Sequence, residues 1–399
     1  MTGRTRVQLS DSEQGATFRQ QVADFLATRW SGGSGAAKDE VAAFRRAAVE
    51  AGYLYRSVPR RYGGSEQPAD PIRAQIIREE FSKVRAPMEV DGNGTNMLVP
   101  TLLERGTEAQ RERFIRPTIE GRYIWAQGYS EPDAGSDLAS LRTSARLEGG
   151  QWIINGRKTW TSHAEKAHYM FALVRTEPDR PRHEAISYLL LDLRQPGVTV
   201  HPFRQMTGES RFGEVIFEDA RTPADWMVGG RGEGWQVSRT TLKHERASIG
   251  AARRSEELLA KLIELAGRPD ALGNRPIEDA AVRQRIATLQ GWVLAQKYSG
   301  YRQLSLSAEG RAEPMLALTG KLLATEIGHM VALLAQDLIG SAALVRPALP
   351  GSGARRGDEK WLDQIMGSLG VSIAGGTSNI QRNIIAERGL GLPRQDAAA

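Results

Sequence analysis

The chain has 399 residues, 40% hydrophobic and 25% charged, a profile that excludes global disorder and suits a folded protein of two or three domains. Lys and Arg number 53 against 47 Asp and Glu, a net +6, but the two signs are interleaved with no basic run of five, which argues against a nucleic-acid partner. With no cysteine, disulfides, thiolate zinc sites, iron–sulfur clusters and cysteine nucleophiles are all ruled out.

The opening MTGRTRVQLSDSEQG lacks the apolar core of a signal peptide and no run of 18 apolar residues follows, so a cytoplasmic protein without a membrane span is expected. Up to about residue 120 apolar residues recur at helical spacing, as in Phe18, Val22, Phe25 and Leu26, and again in Met97, Leu98, Leu102 and Leu103, predicting an N-terminal helical domain over 1–120. The break at Arg105-Gly106-Thr107 puts Gly at a helix end and Thr107 at the next N-cap, with Gln110 completing a capping box. Residues 32–38 (GGSGAAK) and 59–68 (PRRYGGSEQP) read as loops.

From about 121 the period shortens to two. YIWAQGYS, LRTSARLEGGQWIINGRKTW, YMFALVRT, ISYLLLDL, VTVHPF and GEVIFEDA predict strands, with turns at Gly149-Gly150 and Asn155-Gly156, in a middle β domain over 121–232. A C-terminal domain over 233–399 is helical again, in long pieces at 235–266, 278–308 and 312–340, a Gly/Pro/Arg-rich loop at 346–360, and a last helical stretch from Ile380 to Arg388. The fold class is therefore α+β multidomain, ordered helical, β, helical.

Several motifs lead nowhere. His163 and His168 lie close in sequence but lack further ligands, so no metal site is expected. No GxSxG elbow is present. Gly351-Ser-Gly353 follows Pro350 and no strand, and Lys321 in LTGKLL lacks the upstream glycine of a P-loop. The Met and Leu stripe over 315–339 has the spacing of a core helix.

Chemistry concentrates in two segments. QGYSEPDAGSD (127–137) leaves a predicted strand and turns through Pro132 and Gly135, exposing hydroxyls and main-chain N–H groups at a β-domain rim; a phosphate or flavin edge suits it, as does a plain Asp/Gly turn. NGRKTWTS (155–162) reads as a hairpin end presenting an indole and hydroxyls, although Trp160 is equally readable as a packed strand aromatic.

YSEPDAGSD followed by NGRKTWTSHAEKAHYMFALVRT resembles the signature of the acyl-CoA dehydrogenase family, and IAGGTSNIQRNIIAERGLGLPR resembles its closing motif, the three blocks spanning nearly the whole chain in order. The resemblance implies an N-terminal helical domain, a middle β-barrel-like domain and a C-terminal four-helix bundle, with FAD held between them and between subunits. It places Gln127, Tyr129 and Ser130 along the flavin ring, Ser136 at FAD and the CoA moiety, and Trp160 and Ser162 beside the flavin. Thr377 and Asn379 correspond to contacts with the ribityl and phosphate groups. The Arg lent by a neighbouring subunit to the pyrophosphate corresponds to Arg268, with Arg275 the alternative in the same loop. Asp337 stands where many relatives have Gln.

The implied reaction is α,β-dehydrogenation of an acyl-CoA thioester to the trans-2-enoyl-CoA. A base removes the α-proton as hydride leaves the β-carbon, and a carboxylate shielded from water is the base such chemistry asks for. Many relatives carry that Glu just before the Gly-Thr of the closing motif, where this chain has Gly375. A second subset supplies it from a C-terminal-domain helix, which LKHER (242–246) resembles, so Glu245 is the expected base and Arg246 is assigned to the substrate. The resemblance further implies an electron-transfer flavoprotein as electron acceptor, a homodimer or homotetramer with a hetero-oligomer as the alternative, and a place in fatty acid or sterol side-chain β-oxidation. Two other readings of function stand beside it. One is a flavin-dependent monooxygenase or oxidase on the same fold, and the other a non-catalytic FAD- or CoA-binding subunit.

Overall fold

The computed structural model describes residues 12–33, 35–249, 252–269, 273–311, 313–340 and 359–393. The chain divides into two units. The first holds the described residues up to Phe203 together with Ser210–His244, and the second holds Arg204–Glu209 together with the described residues from Glu245 onward.

In the first unit, five helices come first: α1 (Glu13–Arg29), α2 (Lys38–Glu50), α3 (Pro71–Lys83), α4 (Val99–Arg105) and α5 (Glu108–Ile119). Their starts are written locally. Ser12 accepts from the Gly15 amide at the head of α1, Asp70 caps α3 just before Pro71, and the Thr107/Gln110 capping box at α5 forms in both directions. The strands follow as β1 (Trp125–Gly128), β2 (Ser144–Glu148), β3 (Gln151–Ser162), β4 (Tyr169–Arg175), β5 (Ile186–Asp192), β6 (Val198–Phe203), β7 (Phe212–Pro223) and β8 (Met227–Val228). They make one sheet ordered β6-β7-β3-β2-β4-β5-β8, with β1 parallel to β4. Together they form the middle β domain expected here, an eight-stranded sheet.

Alternation on β4 and β5 decides where the core lies. Phe171, Leu173, Tyr188 and Leu190 join the cluster built by the N-terminal helices, while Met170, Ala172, Leu189 and Leu191 join a second cluster with Trp152, Val215 and Phe217. Both faces of these strands are covered, which is why they read as near-continuous apolar runs. The turn at Gly149-Gly150 has φ of +56° and +78°, as a two-residue hairpin needs. Asn155-Gly156, by contrast, is no turn: β3 runs straight through it, with an irregularity in its pairing to β7 between Ile154 and Gly156. Gly156 sits at φ +139°, and a Cβ there would lie 2.7 Å from the Thr143 Cα. Glycine thus serves a bulge and a close backbone approach instead of reversing the chain.

The helix α6 (Gly234–Ile249) carries the division between the units, at His244 and Glu245. After it come α7 (Ala252–Ala266), α8 (Ala280–Ala308), α9 (Pro314–Ile339), α10 (Glu359–Val371) and α11 (Ser378–Ile384), the last continuing into a wider turn at Ile385–Gly389. The stretch 235–266, expected as one piece, is helical on either side of residues 250–251, which lie outside the described residues, as does most of the 346–360 loop. Leu259 and Leu262 of α7, Ile286 and Leu289 of α8, Ile327 and Val331 of α9 and Trp361 of α10 form one core, the four-helix packing expected of this region.

Candidate functional site

β1 delivers the chain to the rim. Gly128 is needed there because a Cβ would collide with the Met170 side chain. Beyond it Tyr129 turns inward, 5% exposed, with its ring edge-on to Phe171 at 6.0 Å and to Tyr188 at 6.3 Å. Its side chain faces the core, so what it offers the rim is main chain. Tyr188 begins a buried run of hydroxyls: Thr241 of α6 donates to Tyr188 at 3.3 Å, and Thr101 of α4 lies 3.0 Å from Thr241. Burial pushes the Tyr188 hydroxyl well above the usual phenol range.

Next along, Glu131 and Ala134 exchange main-chain hydrogen bonds across Pro132-Asp133, closing a tight turn that leaves Gly135 and Ser136 exposed. The Glu131 carboxylate points inward. It accepts from the amides of Arg142 at 2.6 Å and Thr143 at 2.9 Å, and from the Lys158 ammonium at 2.7 Å. Lys158, fully buried on β3, also donates to the Tyr129 carbonyl at 3.2 Å. Burial alone would raise the Glu131 pKa, but the charge of Lys158 and these hydrogen bonds outweigh it and hold the carboxyl below its ordinary range. Burial lowers Lys158 to about 8 against the pull of Glu131.

The next residue of β3, Thr159, donates its amide to the Ser130 carbonyl at 2.9 Å, so Ser130 and Trp160 come to one edge. Trp160 sits at φ +56°, inside a second irregularity of the β3–β7 pairing between Lys158 and Thr161. An aromatic side chain held in the left-handed region is strained, and such strain persists only where its surroundings impose it. The indole is 61% exposed and is braced edge-on by Phe203 at 5.1 Å and Phe212 at 5.8 Å. Ser162, half-buried, closes the strand opposite Phe212. Ser130 and Trp160 therefore meet at this edge, with Ser162 two residues further along β3, Gln127 earlier on β1 and Ser136 on the loop that follows. Beside that loop, hydrogen bonding to Arg182 at 2.6 Å holds the Asp137 carboxyl below its usual range.

The second unit carries the remaining candidates. Thr377 caps α11 by accepting from the Ile380 amide at 3.2 Å, and Asn379, exposed, accepts from Arg382 at 3.4 Å. The turn before them uses Gly375 at φ +65° and Gly376 at φ +93°. Lys321 of α9, 1% exposed, donates to the Gly376 carbonyl at 2.8 Å, and Gln381, 2% exposed, donates to Gly375 at 3.3 Å. Burial lowers the Lys321 pKa, and the charge of Glu245 pulls it back up, so Glu245 lies within electrostatic reach of the ammonium that grips this turn.

Arg268 lies exposed just beyond α7 with its amide bonded to Leu265, and Arg275 opens the short turn Pro276–Glu278. Asp337 pairs with Arg285 at 2.6 Å. The Arg246 side chain lies outside the described residues. Glu131, Lys158 and Lys321 emerge only from the structure. Their signal in sequence was a charge among buried neighbours: Lys321 is a lone cation in the apolar run from Met315 to Ala324, and Lys158 lies in a strand that otherwise reads as a hairpin end.

A helical region, a sheet domain with a braced aromatic rim and a helical bundle with a clamped Gly-Gly-Thr turn thus follow one another along the chain. Family models for the acyl-CoA dehydrogenase N-terminal, middle and C-terminal domains match residues 12–122, 126–220 and 232–390. The chain is 36% identical over 393 residues to the acyl-CoA dehydrogenase IpdE1 of Mycobacterium tuberculosis, covering 95% of this chain and 98% of that one. Among solved structures, the ChsE4-ChsE5 complex from Mycobacterium tuberculosis superposes with a TM-score of 0.76 at 28% identity, covering 97% of this chain and all of that one. The Tcur3481-Tcur3483 steroid ACAD does so with a TM-score of 0.75 at 25% identity, covering 97% and 100%. The chain belongs to the acyl-CoA dehydrogenase family, and it is an acyl-CoA dehydrogenase enzyme.

Proposed function

We propose that the enzyme binds FAD and removes hydrogen across the α,β-bond of an acyl-CoA thioester, with Glu245 as the base. The observation that carries this reading is the neighbourhood of Lys321. Position 375, where many relatives hold the base, is a glycine, and the turn containing it is gripped by an ammonium that also feels the Glu245 carboxylate. A carboxylate supplied from α6 can thus serve the place that Gly375 leaves bare.

The first unit suits a flat, polar-edged group. The exposed, edge-braced indole of Trp160, with Ser130, Ser162 and Gln127, is our candidate set for the flavin ring, and Ser136 the candidate for phosphate or pantetheine oxygens. Thr377, Asn379 and Arg268 are the candidates for the rest of the dinucleotide. When bound, FAD supplies the two-electron acceptor for the hydride that leaves the β-carbon. The work left to the chain is to take the α-proton onto a Glu245 oxygen and to keep water from that carboxylate. Arg246 follows Glu245 on α6 and is assigned to the CoA-bearing substrate.

Steroid-derived acyl chains are the favoured substrate class, since one solved relative is described as a steroid ACAD. Electrons then pass to an electron-transfer flavoprotein. A homodimer or homotetramer, or a hetero-oligomer, completes the assembly, and Leu333 on the apolar helix α9, 44% exposed, is our candidate for surface that another subunit covers.

Anaerobic bleaching of the flavin absorbance by a panel of acyl-CoAs tests the reading. Glu245→Gln should slow bleaching by roughly 10²–10⁴-fold, the usual worth of a general base, while leaving FAD bound. Unchanged bleaching would remove Glu245 from the chemistry. Oxygen-dependent turnover that survives the substitution would favour the monooxygenase or oxidase reading instead.

A further inference from the structure

We infer that Glu131 and Lys158 form a buried positioning pair that holds the cofactor-facing rim, Ser130 and Trp160, in its binding shape. The inference rests on the proposal that this rim receives FAD. Neither side chain is placed to touch a ligand, since Lys158 is fully buried and Glu131 is 8% exposed.

A buried ion pair is a poor way to gain stability, because removing both charges from water costs about as much as their attraction returns, and apolar residues of similar volume do as well or better. Its presence calls for another account, and the geometry supplies one. Glu131 gathers three donors from two places in the chain: the consecutive amides of Arg142 at 2.6 Å and Thr143 at 2.9 Å, and Lys158 at 2.7 Å. Lys158 adds the Tyr129 carbonyl at 3.2 Å. The pair therefore ties the end of β1, the approach to β2 and the middle of β3 to one point. Ser130 lies between Tyr129 and Glu131, its carbonyl pinned by Thr159 at 2.9 Å. Trp160 lies two residues beyond Lys158, within the irregularity that begins at Lys158.

That irregularity leaves Trp160 at φ +56°, a conformation an aromatic residue abandons unless held. Apolar contacts are non-directional and tolerate sliding along a strand. Two charges with directed hydrogen bonds do not, so an ionic clip fixes register where an apolar one would only fill volume.

The test separates filling from fixing. Glu131→Gln and Lys158→Met each strand a buried polar partner and should lower the unfolding midpoint. The double substitution Glu131→Leu with Lys158→Met replaces the pair by apolar volume and should recover most of that midpoint. FAD affinity, read from the fluorescence of released flavin, should nevertheless stay at least tenfold weaker than in the parent enzyme, and the visible circular dichroism of bound flavin should stay altered. Glu131→Asp keeps the charge but shortens the arm, so it should fold and weaken FAD by roughly three- to tenfold; this holds the test open if the double variant fails to fold. Parental FAD affinity and dichroism in either folded variant would overturn the inference and leave the cofactor reading intact. A parent enzyme that binds no FAD would overturn both.

Discussion

At the scale of single residues, the pair Glu131 and Lys158 sets stability and rim chemistry moving in opposite directions with pH. The folded pKa of Lys158, about 8, lies below its ordinary 10.5. Between those values the unfolded chain binds the extra proton, so this residue's contribution to stability rises with pH across that window while its charge on Glu131 fades. Flavin retention is therefore expected to decline as pH climbs through about 8 with no matching fall in the unfolding midpoint. Measuring both on one set of samples checks this, and Lys158→Met should abolish the retention change. Gly156 makes a second residue-scale prediction. Gly156→Ala drives a Cβ to within 2.7 Å of the Thr143 backbone at a φ of +139°, and should cost about 2–3 kcal/mol in urea unfolding, more than any ordinary surface change.

Among the elements, the turn between α10 and α11 depends on α9. Lys321→Met removes the donor from the Gly376 carbonyl and should lower stability by about 1–3 kcal/mol, the worth of a buried acceptor left unsatisfied. If the same ammonium steadies the Glu245 carboxylate, Lys321→Met should slow turnover sharply in the parent and little in Glu245→Gln, which a double-mutant cycle on flavin bleaching would reveal. At the other end of the chain, Thr107→Ala should cost α5 about 1 kcal/mol, because both arms of its capping box are made. That box was legible in sequence because every atom it uses lies within four residues. So was the Gly149-Gly150 turn. Asn155-Gly156 was not, because an Asn-Gly pair suits a hairpin and a bulge alike, and what selects the bulge is Thr143, just ahead of β2. Tyr129 illustrates the same limit: its place beside the motif was readable, but its inward rotation is set by Phe171 and Tyr188, distant in sequence. The Glu131–Lys158 pairing lay hidden for that reason too, each residue inside a recognised motif with nothing local to join them.

In the whole molecule the proposed site residues fall in both units, Ser130, Ser136, Trp160 and Ser162 in one and Glu245, Thr377 and Asn379 in the other. Domain order was legible from the change of hydrophobic period, because that signal is summed over dozens of residues. Subunit contacts were not, since an apolar stripe looks alike whether its own chain or another's covers it. Helix α9 decides between these: Leu333 is 44% exposed on it, and Leu333→Glu should reduce the mass found by sedimentation equilibrium if the bundle is the assembly surface.

The position of α6 bears on how this lineage can change. Thr241 is anchored to Thr101 and Tyr188 in the first unit, and Glu245 begins the second just one helical turn later. One inserted or deleted residue within that turn would swing the carboxyl about 100° around the helix axis, since each residue advances an α-helix by that angle. With Glu245 as the proposed base, the length of chain between 241 and 245 is therefore expected to be kept among relatives that share this base, which aligning them would check.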